Sequence, residues 1–283
     1  MAAWAGLGYY SRARNLVKAA RAVAEAGGFP DTEAELRQLP GLGAYTAAAV
    51  AAIAFDRRAV VVDANVERVV ARLFAIGTPL PGARKPIRAA ADTITPDRRA
   101  GDFAQAMMDL GSTICTPRAP KCLLCPVAVD CAGRRTGEPE RFPVKSVKRA
   151  VPERVGQAYW IERKGHVWLV TRPPDGLFGG MRALPDDGWS AREDGSGRSP
   201  FAADWQVLGT VRHGFTHARL TLTVLACAAQ AKPEGAGAWW PVNRLDEAGL
   251  PTLYLNAARL ALRLQNPAAQ RKAQNGDEQD DQA

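Results

Sequence analysis

The stretch that decides the fold is "LPGLGAYTAAAV", residues Leu39 to Val50. Pro40 ends a preceding helix, Gly41 and Gly43 permit a tight turn, and an alanine-rich helix begins at once. This pattern is typical of a helix-hairpin-helix, in which the N–H groups at the start of the second helix can bind a phosphate. Such a contact positions a nucleic acid without reading its sequence. A Gly-x-Gly turn alone is weak evidence, so the rest of the chain decides.

The distribution of charge favours a polyanionic partner. Residues 1–150 contain 22 Lys and Arg against 14 Asp and Glu, a net charge of +8, whereas residues 151–283 contain 15 of each. The whole excess therefore lies in the first half, as expected of a segment that approaches nucleic acid, although a merely soluble basic surface would show the same balance. No apolar run is long enough to span a bilayer.

Hydrophobic periodicity predicts a helical first half and a mixed second half. Helices are predicted over residues 12–26, from 44 onward, and over 65–74, 84–93, 99–114 and 252–264. Strands are predicted over residues 155–161, 166–171, 207–211 and 220–228. Thr32 and Glu35 have the spacing of a capping box for a further helix.

Changes in composition predict the domain boundaries. The first domain covers residues 1–135, and a linker rich in Pro, Gly and basic residues follows over 136–152. A smaller α+β domain covers 153–265, and the polar tail 266–283 is predicted to be disordered. The predicted fold class is a mainly α, helix-hairpin-helix domain with a cysteine-rich loop, followed by this α+β domain.

Four of the five cysteines lie together with the spacing C-x6-C-x2-C-x5-C. They are Cys115, Cys122, Cys125 and Cys131. An odd total with one tight cluster argues against a secreted disulfide framework and for a metal site. Four thiolates without histidine, in a loop over residues 115–131, favour a [4Fe–4S] cluster, with structural zinc as the alternative. The fifth, Cys227, is predicted to be a small buried hydrophobic residue.

Asp63 follows a valine run in "VVVDANVERV" and precedes a predicted helix. One interpretation is an N-cap, which stabilises a helix by about 1 kcal/mol. The other is a catalytic carboxylate beside the hairpin. Both can hold, because a capping residue is rigid and catalysis needs rigid groups.

The hairpin, the aspartate and the four-cysteine loop, in that order, resemble the endonuclease III-like superfamily of helix-hairpin-helix DNA glycosylases. Three stretches, "WAGLGYYSRARNL", "FAQAMMDLGSTICTPRAPKCLLCP" and "RPPDGLFGGM", resemble the adenine DNA glycosylases, and the match covers roughly Trp4 to Leu264. The resemblance implies base excision repair by hydrolysis of the glycosidic bond of adenine opposite 8-oxoguanine or guanine in duplex DNA. It also implies a [4Fe–4S] cluster, a Nudix-like second domain, a monomer, and a place in the bacterial cytoplasm, acting at the nucleoid.

The resemblance assigns roles to two residues of the first domain. Tyr45 occupies the hairpin position at which bifunctional relatives carry a lysine, and a tyrosine cannot form a Schiff base, so a monofunctional enzyme is implied. Asp63 matches the aspartate that stabilises the oxocarbenium-like sugar, as in retaining glycoside hydrolysis.

The resemblance also assigns the contacts to the lesion. Tyr9 matches a wedge inserted beside 8-oxoguanine, with Leu7 nearby in the minor groove. Phe215, Thr216 and His217 match a loop that reads 8-oxoguanine, with threonine in place of the family's serine. The acidic Nudix box is absent from the sequence, so pyrophosphate hydrolysis is not expected.

Two rival functions remain. A bifunctional pyrimidine-lesion glycosylase is disfavoured by Tyr45 and by the second domain. A lesion-binding protein without catalysis is favoured by a missing residue: the family's general acid is a glutamate upstream of the wedge loop, whereas Glu25, Glu33 and Glu35 follow that loop. We therefore expect that the native chain starts upstream of Met1 and that this chain is catalytically impaired.

Overall fold

The structure is a computed structural model that describes residues 4, 7–146, 150–174, 176–229, 233 and 235–265. The chain forms two compact units: a helical unit of residues 15–149, and an α+β unit of residues 1–14 together with 150–283. The boundary falls inside the first helix, so the opening segment belongs with the second half of the chain. The predicted disordered tail, 266–283, lies outside the described residues.

The first half is helical, as predicted. Its α-helices are α1 (Tyr10–Glu25), α2 (Glu33–Leu36), α3 (Ala44–Phe55), α4 (Ala64–Leu73), α5 (Arg84–Ile94), α6 (Ala100–Asp109) and α7 (Ala132–Arg135). A π-helical turn, Leu110–Ile114, continues α6, and short 3-10 turns cover Cys122–Leu124 and Pro139–Arg141. Thr32 is the N-cap of α2, as predicted, because its hydroxyl accepts from the Glu35 N–H at 3.3 Å. The Glu35 carboxylate accepts from the Thr32 hydroxyl at 2.6 Å, whereas in a full capping box it accepts from the N-cap backbone N–H.

Small residues let the helices of the helical unit approach closely. Ala48 and Ala52 on α3 are buried with Ala104 on α6 in one core cluster. At Gly101 on α6, a Cβ would lie 2.5 Å from the carbonyl oxygen of Ala52. The alanine-rich sequence of α3 therefore serves close helix packing, which bulkier side chains would prevent.

Part of the predicted linker packs on the helical unit. Phe142 is buried in a second core cluster with residues of α4 and α5. The Leu80 N–H also donates to the Val144 carbonyl at 2.9 Å. Residues up to about 145 thus belong to the helical core.

The second half forms a sheet and one long helix. The strands are β1 (Glu153–Arg163), β2 (His166–Thr171), β3 (Arg182–Ala183), β4 (Gln206–Gly214), β5 (Arg219–Ala228) and β6 (Gly237–Pro241), followed by a 3-10 segment (Val242–Ala248) and α8 (Thr252–Gln265). The sheet order is β3-β2-β1-β5-β4, with β6 paired to β2. The β1–β5 pair is parallel and the other pairs are antiparallel.

The main core of the α+β unit lies between the sheet and α8. Trp160 and Leu222 from the sheet are buried with Tyr254 and Ala258 of α8, and Tyr10 from the opening segment is buried in the same cluster. The predicted fold class is confirmed, whereas the short strands β3 and β6 were not predicted. Within the described residues, no helix combines the length and the apolar character needed to cross a membrane.

Candidate functional site

The hairpin turn joins α2 to α3. Gly41 has a φ of 83°, and a Cβ there would lie 2.5 Å from the Cβ of Asn15, so both conformation and space require glycine. Gly43 is the N-cap of α3, with an extended backbone and no side-chain cap. The first N–H groups of α3 are therefore open to an anion.

Tyr45 lies in the first turn of α3, directly after the hairpin. Its side chain is 43% exposed, and its hydroxyl donates to Sδ of Met108 on α6 at 3.8 Å. This contact is weak, and the phenol is therefore partly available to a substrate.

Asp63 is held from both sides. Val60 and Val61 before it are buried in two different clusters, because successive side chains of an extended segment point in opposite directions. After it, Oδ1 accepts from the Val66 N–H at 2.7 Å, so Asp63 is the N-cap of α4, as predicted. Oδ2 accepts from Nδ2 of Asn65 at 3.2 Å. The carboxylate is half-buried and fixed, and the helix N-terminus stabilises its charge.

A chain of hydrogen bonds leads from Asp63 to the first cysteine. Arg68 on α4 donates from Nη2 to Oδ1 of Asn65 at 2.9 Å and from Nε to the Cys115 carbonyl at 2.7 Å. Burial lowers the pKa of the Arg68 guanidinium and Arg72 lowers it further, whereas Cys115 and Asp63 raise it. Arg68 thus connects Asp63, through the Asn65 side chain, to the backbone of Cys115.

All four predicted cysteines line one small cavity. Arg72, on the next turn of α4, is 2% exposed and lines the same cavity. Its Nη1 donates to Sγ of Cys115 at 3.3 Å and to the Thr116 carbonyl at 2.7 Å, and its Nη2 donates to the Pro117 carbonyl at 3.1 Å. One buried guanidinium therefore fixes the start of the cysteine loop.

Backbone N–H groups and neighbouring thiols also act on the other sulfur atoms of the cysteine site. The Arg134 N–H donates to Sγ of Cys131 at 3.4 Å. Burial raises the pKa of the Cys125 thiol; a backbone hydrogen bond from Val127 lowers it, and the other three cysteines raise it. The Cys125 thiol therefore lies close enough to the other three thiols to interact with them electrostatically.

The sulfur arrangement bears on the kind of metal group. In the described part of the chain, no three His, Cys, Asp or Glu side chains are placed to hold a metal ion. Tetrahedral zinc would bring all four sulfurs within about 4 Å of one another. An iron–sulfur cube carries one thiolate on each iron, so its ligands surround a volume. The four cysteines line a common cavity, and a donor set of four thiolates without histidine suits either an iron–sulfur cluster or a structural zinc ion.

In the α+β unit, Trp4 and residues 7–9 lie just before α1 and include the predicted wedge, Tyr9. Nε1 of Trp4 donates to the Gly8 carbonyl at 3.0 Å, which closes the loop. Tyr9 follows with a φ of 45° and is 72% exposed, and Leu7 is also exposed. Left-handed backbone costs a non-glycine residue about 1–2 kcal/mol, and such strain is often found at functional sites.

The predicted lesion-reading loop connects β4 to β5. The Phe215 N–H donates to the Ala218 carbonyl at 2.7 Å, which places Thr216 and His217 at the exposed tip. The Phe215 ring stacks on Trp189, with centroids 5.9 Å apart, and contacts His213 at 4.6 Å. The loop is therefore anchored by Phe215 and open at the next two residues.

These two loops meet at one cavity of about 400 Å³ inside the α+β unit. Tyr9, Phe215 and Thr216 line it, whereas Leu7 and His217 do not. The cavity is further lined by glycines and by Tyr10, Ser11, Arg14, Leu177, Phe178, His213 and Thr252. Residues more than 200 positions apart in the sequence thus form one concave site.

Sequence reasoning missed several residues of these sites. Arg14 and Phe178 lie in the stretches that resemble the adenine DNA glycosylases. Their positions in the sequence do not show that the two residues line the same cavity. Asn65 and Arg68 could have been found, because they follow Asp63 at two and five residues on an amphipathic helix.

Comparison with known proteins assigns the class. Residues 1–92 match the HhH-GPD superfamily of base excision DNA repair proteins, and residues 157–259 match the NUDIX domain. The two halves of the chain thus match two different family models.

Individual relatives give a more specific comparison. Human adenine DNA glycosylase is 33% identical over 291 residues, covering 81% of this chain and 53% of the relative. Adenine DNA glycosylase of Buchnera aphidicola subsp. Acyrthosiphon pisum (strain APS) is 34% identical over 170 residues, covering 59% and 49%. The chain is a homologue of the adenine DNA glycosylases, which confirms the resemblance.

The match is partial in length. The chain spans about half the length of these two relatives. Among solved structures, a thermostable thymine-DNA glycosylase is 36% identical with a TM-score of 0.40, covering 44% of this chain and 58% of that one.

Proposed function

We propose that this protein is a monofunctional DNA glycosylase that releases adenine paired with 8-oxoguanine or guanine in duplex DNA. The observation that carries the proposal is the cavity lined by both Tyr9 and the Phe215–Thr216 tip. A wedge and a base-reading loop that open onto one concave site suit an enzyme that distorts a duplex at a chosen base.

Asp63 and Tyr45 supply the chemistry in this proposal. Adenine is rotated out of the helix, which costs a few kcal/mol of stacking and pairing. As the glycosidic bond breaks, positive charge develops on the sugar, and the fixed carboxylate of Asp63 stabilises it before water attacks. Tyr45 stands at the hairpin with a partly exposed side chain and cannot form a Schiff base, so the strand is left intact.

The contacts to the lesion divide between two loops. Tyr9 fills the gap beside 8-oxoguanine, and the exposed Leu7 follows it into the minor groove. Thr216 offers a hydroxyl at the cavity, and His217 reaches the duplex from the exposed tip. The hairpin at Gly41 and Gly43 binds a backbone phosphate through its N–H groups.

A [4Fe–4S] cluster bound by Cys115, Cys122, Cys125 and Cys131 belongs to the proposal. The shared cavity and the buried Arg72 guanidinium beside Sγ of Cys115 support it. When bound, the cluster supplies a rigid anchor for the loop over residues 115–131. Lys121 of that loop and Arg134 of α7, which follows it directly, then lie at fixed positions for DNA phosphates.

A second candidate is a protein that binds the lesion but does not hydrolyse the glycosidic bond of adenine. Glu33 pairs with Arg88 at 2.9 Å and Glu35 bonds to Thr32, so both carboxylates have structural partners. Neither is assigned as the proton donor to adenine. A missing general acid typically slows such a reaction by about 10²–10⁴-fold, so slow turnover with intact binding favours this candidate.

The test is a binding assay followed by product analysis. We expect the protein to bind a duplex with A opposite 8-oxoguanine more tightly than one with A opposite G, and the latter more tightly than an A·T duplex. Adenine release should depend on Asp63, with Asp63→Asn as the control. Equal affinity for all three duplexes would overturn the proposal.

A further inference from the structure

Phe178 lies between the two loops that line the cavity of the α+β unit. Its ring centroid is 5.8 Å from that of Tyr10, the neighbour of Tyr9, and 6.0 Å from that of Phe215. It is also 6.0 Å from Tyr254 of α8. Aromatic pairs at these separations have preferred geometries. One buried ring thus contacts the base of both loops at once.

The segment that presents Phe178 is tightly constrained. Phe178 has a φ of 57°, a strained conformation that persists only where the surroundings impose it. At Gly179, a Cβ would lie 2.3 Å from the Pro174 carbonyl oxygen. Arg172 closes the segment, because its Nε donates to the Leu177 carbonyl at 3.2 Å and its N–H to the Met181 carbonyl at 3.0 Å.

Arg14 fastens the same segment to α1. Its Nη1 donates to the Gly179 carbonyl at 3.0 Å and its Nη2 to the Gly176 carbonyl at 3.2 Å. Arg14 is four residues after Tyr10, so both side chains lie on the same face of the helix. The rigid fork of a guanidinium grips two carbonyls in a way that a lysine cannot.

We propose that Phe178 and Arg14 are positioning residues that couple insertion of Tyr9 to lesion reading by Phe215, Thr216 and His217. The inference rests on the proposed function. Both loops pack on one constrained segment. When DNA binding fixes one loop in its bound conformation, that segment therefore favours the bound conformation of the other loop. Without the contacts of Phe178 and Arg14, the two loops bind DNA independently.

The coupling is measured with a double-mutant cycle on DNA binding. Tyr9→Ala, Thr216→Gly and the pair of changes together are titrated with a duplex carrying 2′-fluoro-2′-deoxyadenosine opposite 8-oxoguanine, which resists cleavage. In the parent protein, we expect the effect of the double change on Kd to differ by roughly 5- to 20-fold from the product of the two single effects, as for residues in one network. In the Arg14→Ala and Phe178→Ala backgrounds, we expect a factor near 1.

Matched variants separate coupling from folding. Phe178→Ala removes a buried ring and can unfold the unit, so Arg14→Ala and Phe178→Leu provide the same test with the core filled. Arg14→Lys should restore only part of the coupling. Arg21→Ala, an exposed arginine on the same helix, should leave it at the parent value.

Each outcome decides the inference. Loss of coupling in Arg14→Ala but not in Arg21→Ala supports it. A parent protein that prefers the lesion duplex yet keeps its coupling in Arg14→Ala and Phe178→Leu overturns the inference alone. A parent protein with no preference among duplexes overturns the proposed function, and the inference with it.

Discussion

Nδ2 of Asn65 donates to Oδ2 of Asp63 across 3.2 Å, while Arg68 donates to the other end of the same amide. The amide is thereby oriented by two partners, and it in turn orients the carboxylate. Because Arg68 also bonds to the Cys115 carbonyl, a chain of hydrogen bonds connects Asp63 to the cysteine loop.

Asn65→Ala removes this orienting hydrogen bond and leaves the N-cap bond from Val66. We expect adenine release under single turnover to fall roughly 10- to 150-fold, with Kd for the lesion duplex almost unchanged, since one hydrogen bond to a charged group contributes about 1.5–3 kcal/mol. Asn65→Gln is the control, because it keeps an amide group on a side chain that is one methylene longer. A fall in affinity that matches the fall in rate would contradict an orienting role.

Arg72→Met should release the start of the cysteine loop, because it removes the donor to Sγ of Cys115 and to four carbonyls, three of them in the loop and one at Phe142. Cys122→Ser removes one predicted ligand directly. Both proteins, purified anaerobically, should contain less iron than the parent's expected four per chain. Stoichiometric zinc without iron in the parent would contradict the assignment of the cluster.

Gly41→Ala and Gly43→Ala are a matched pair at the hairpin. The first places a methyl group 2.5 Å from Asn15 in left-handed backbone, whereas the second meets nothing within 4 Å. We expect Gly41→Ala to weaken binding to lesion and undamaged duplexes by the same factor, since phosphate contacts carry no sequence information. Gly43→Ala should bind like the parent. Equal losses in both variants would show that the turn geometry does not matter.

His213 should make the stability of the α+β unit depend on pH. Burial lowers its pKa from the usual 6.5, so the unfolded chain binds more protons between the two pKa values. The free energy of unfolding therefore falls as the pH drops below about 6.5. Urea unfolding of the parent and of His213→Gln between pH 7.5 and 5 measures this difference. A gap between the two proteins that does not change with pH would contradict it.

The local parts of the fold could be predicted from the sequence, and the long-range parts could not. The strand predicted over residues 166–171 and the N-cap at Asp63 depend on neighbouring residues, and both are confirmed. The packing of Tyr10 against Phe178 depends on tertiary structure across 168 positions, and no periodicity carries it. The β6 strand, "GAWWP", has no alternation and ends in proline, so only its pairing with β2 reveals it.

The most direct test is the release of adenine under single turnover from duplexes with A opposite 8-oxoguanine, G or T, with parent protein and Asp63→Asn in parallel. The account predicts that the parent releases adenine fastest opposite 8-oxoguanine, that Asp63→Asn releases none, and that the strand breaks only after alkali. Strand cleavage without alkali, or equal release by the parent and Asp63→Asn, would contradict it.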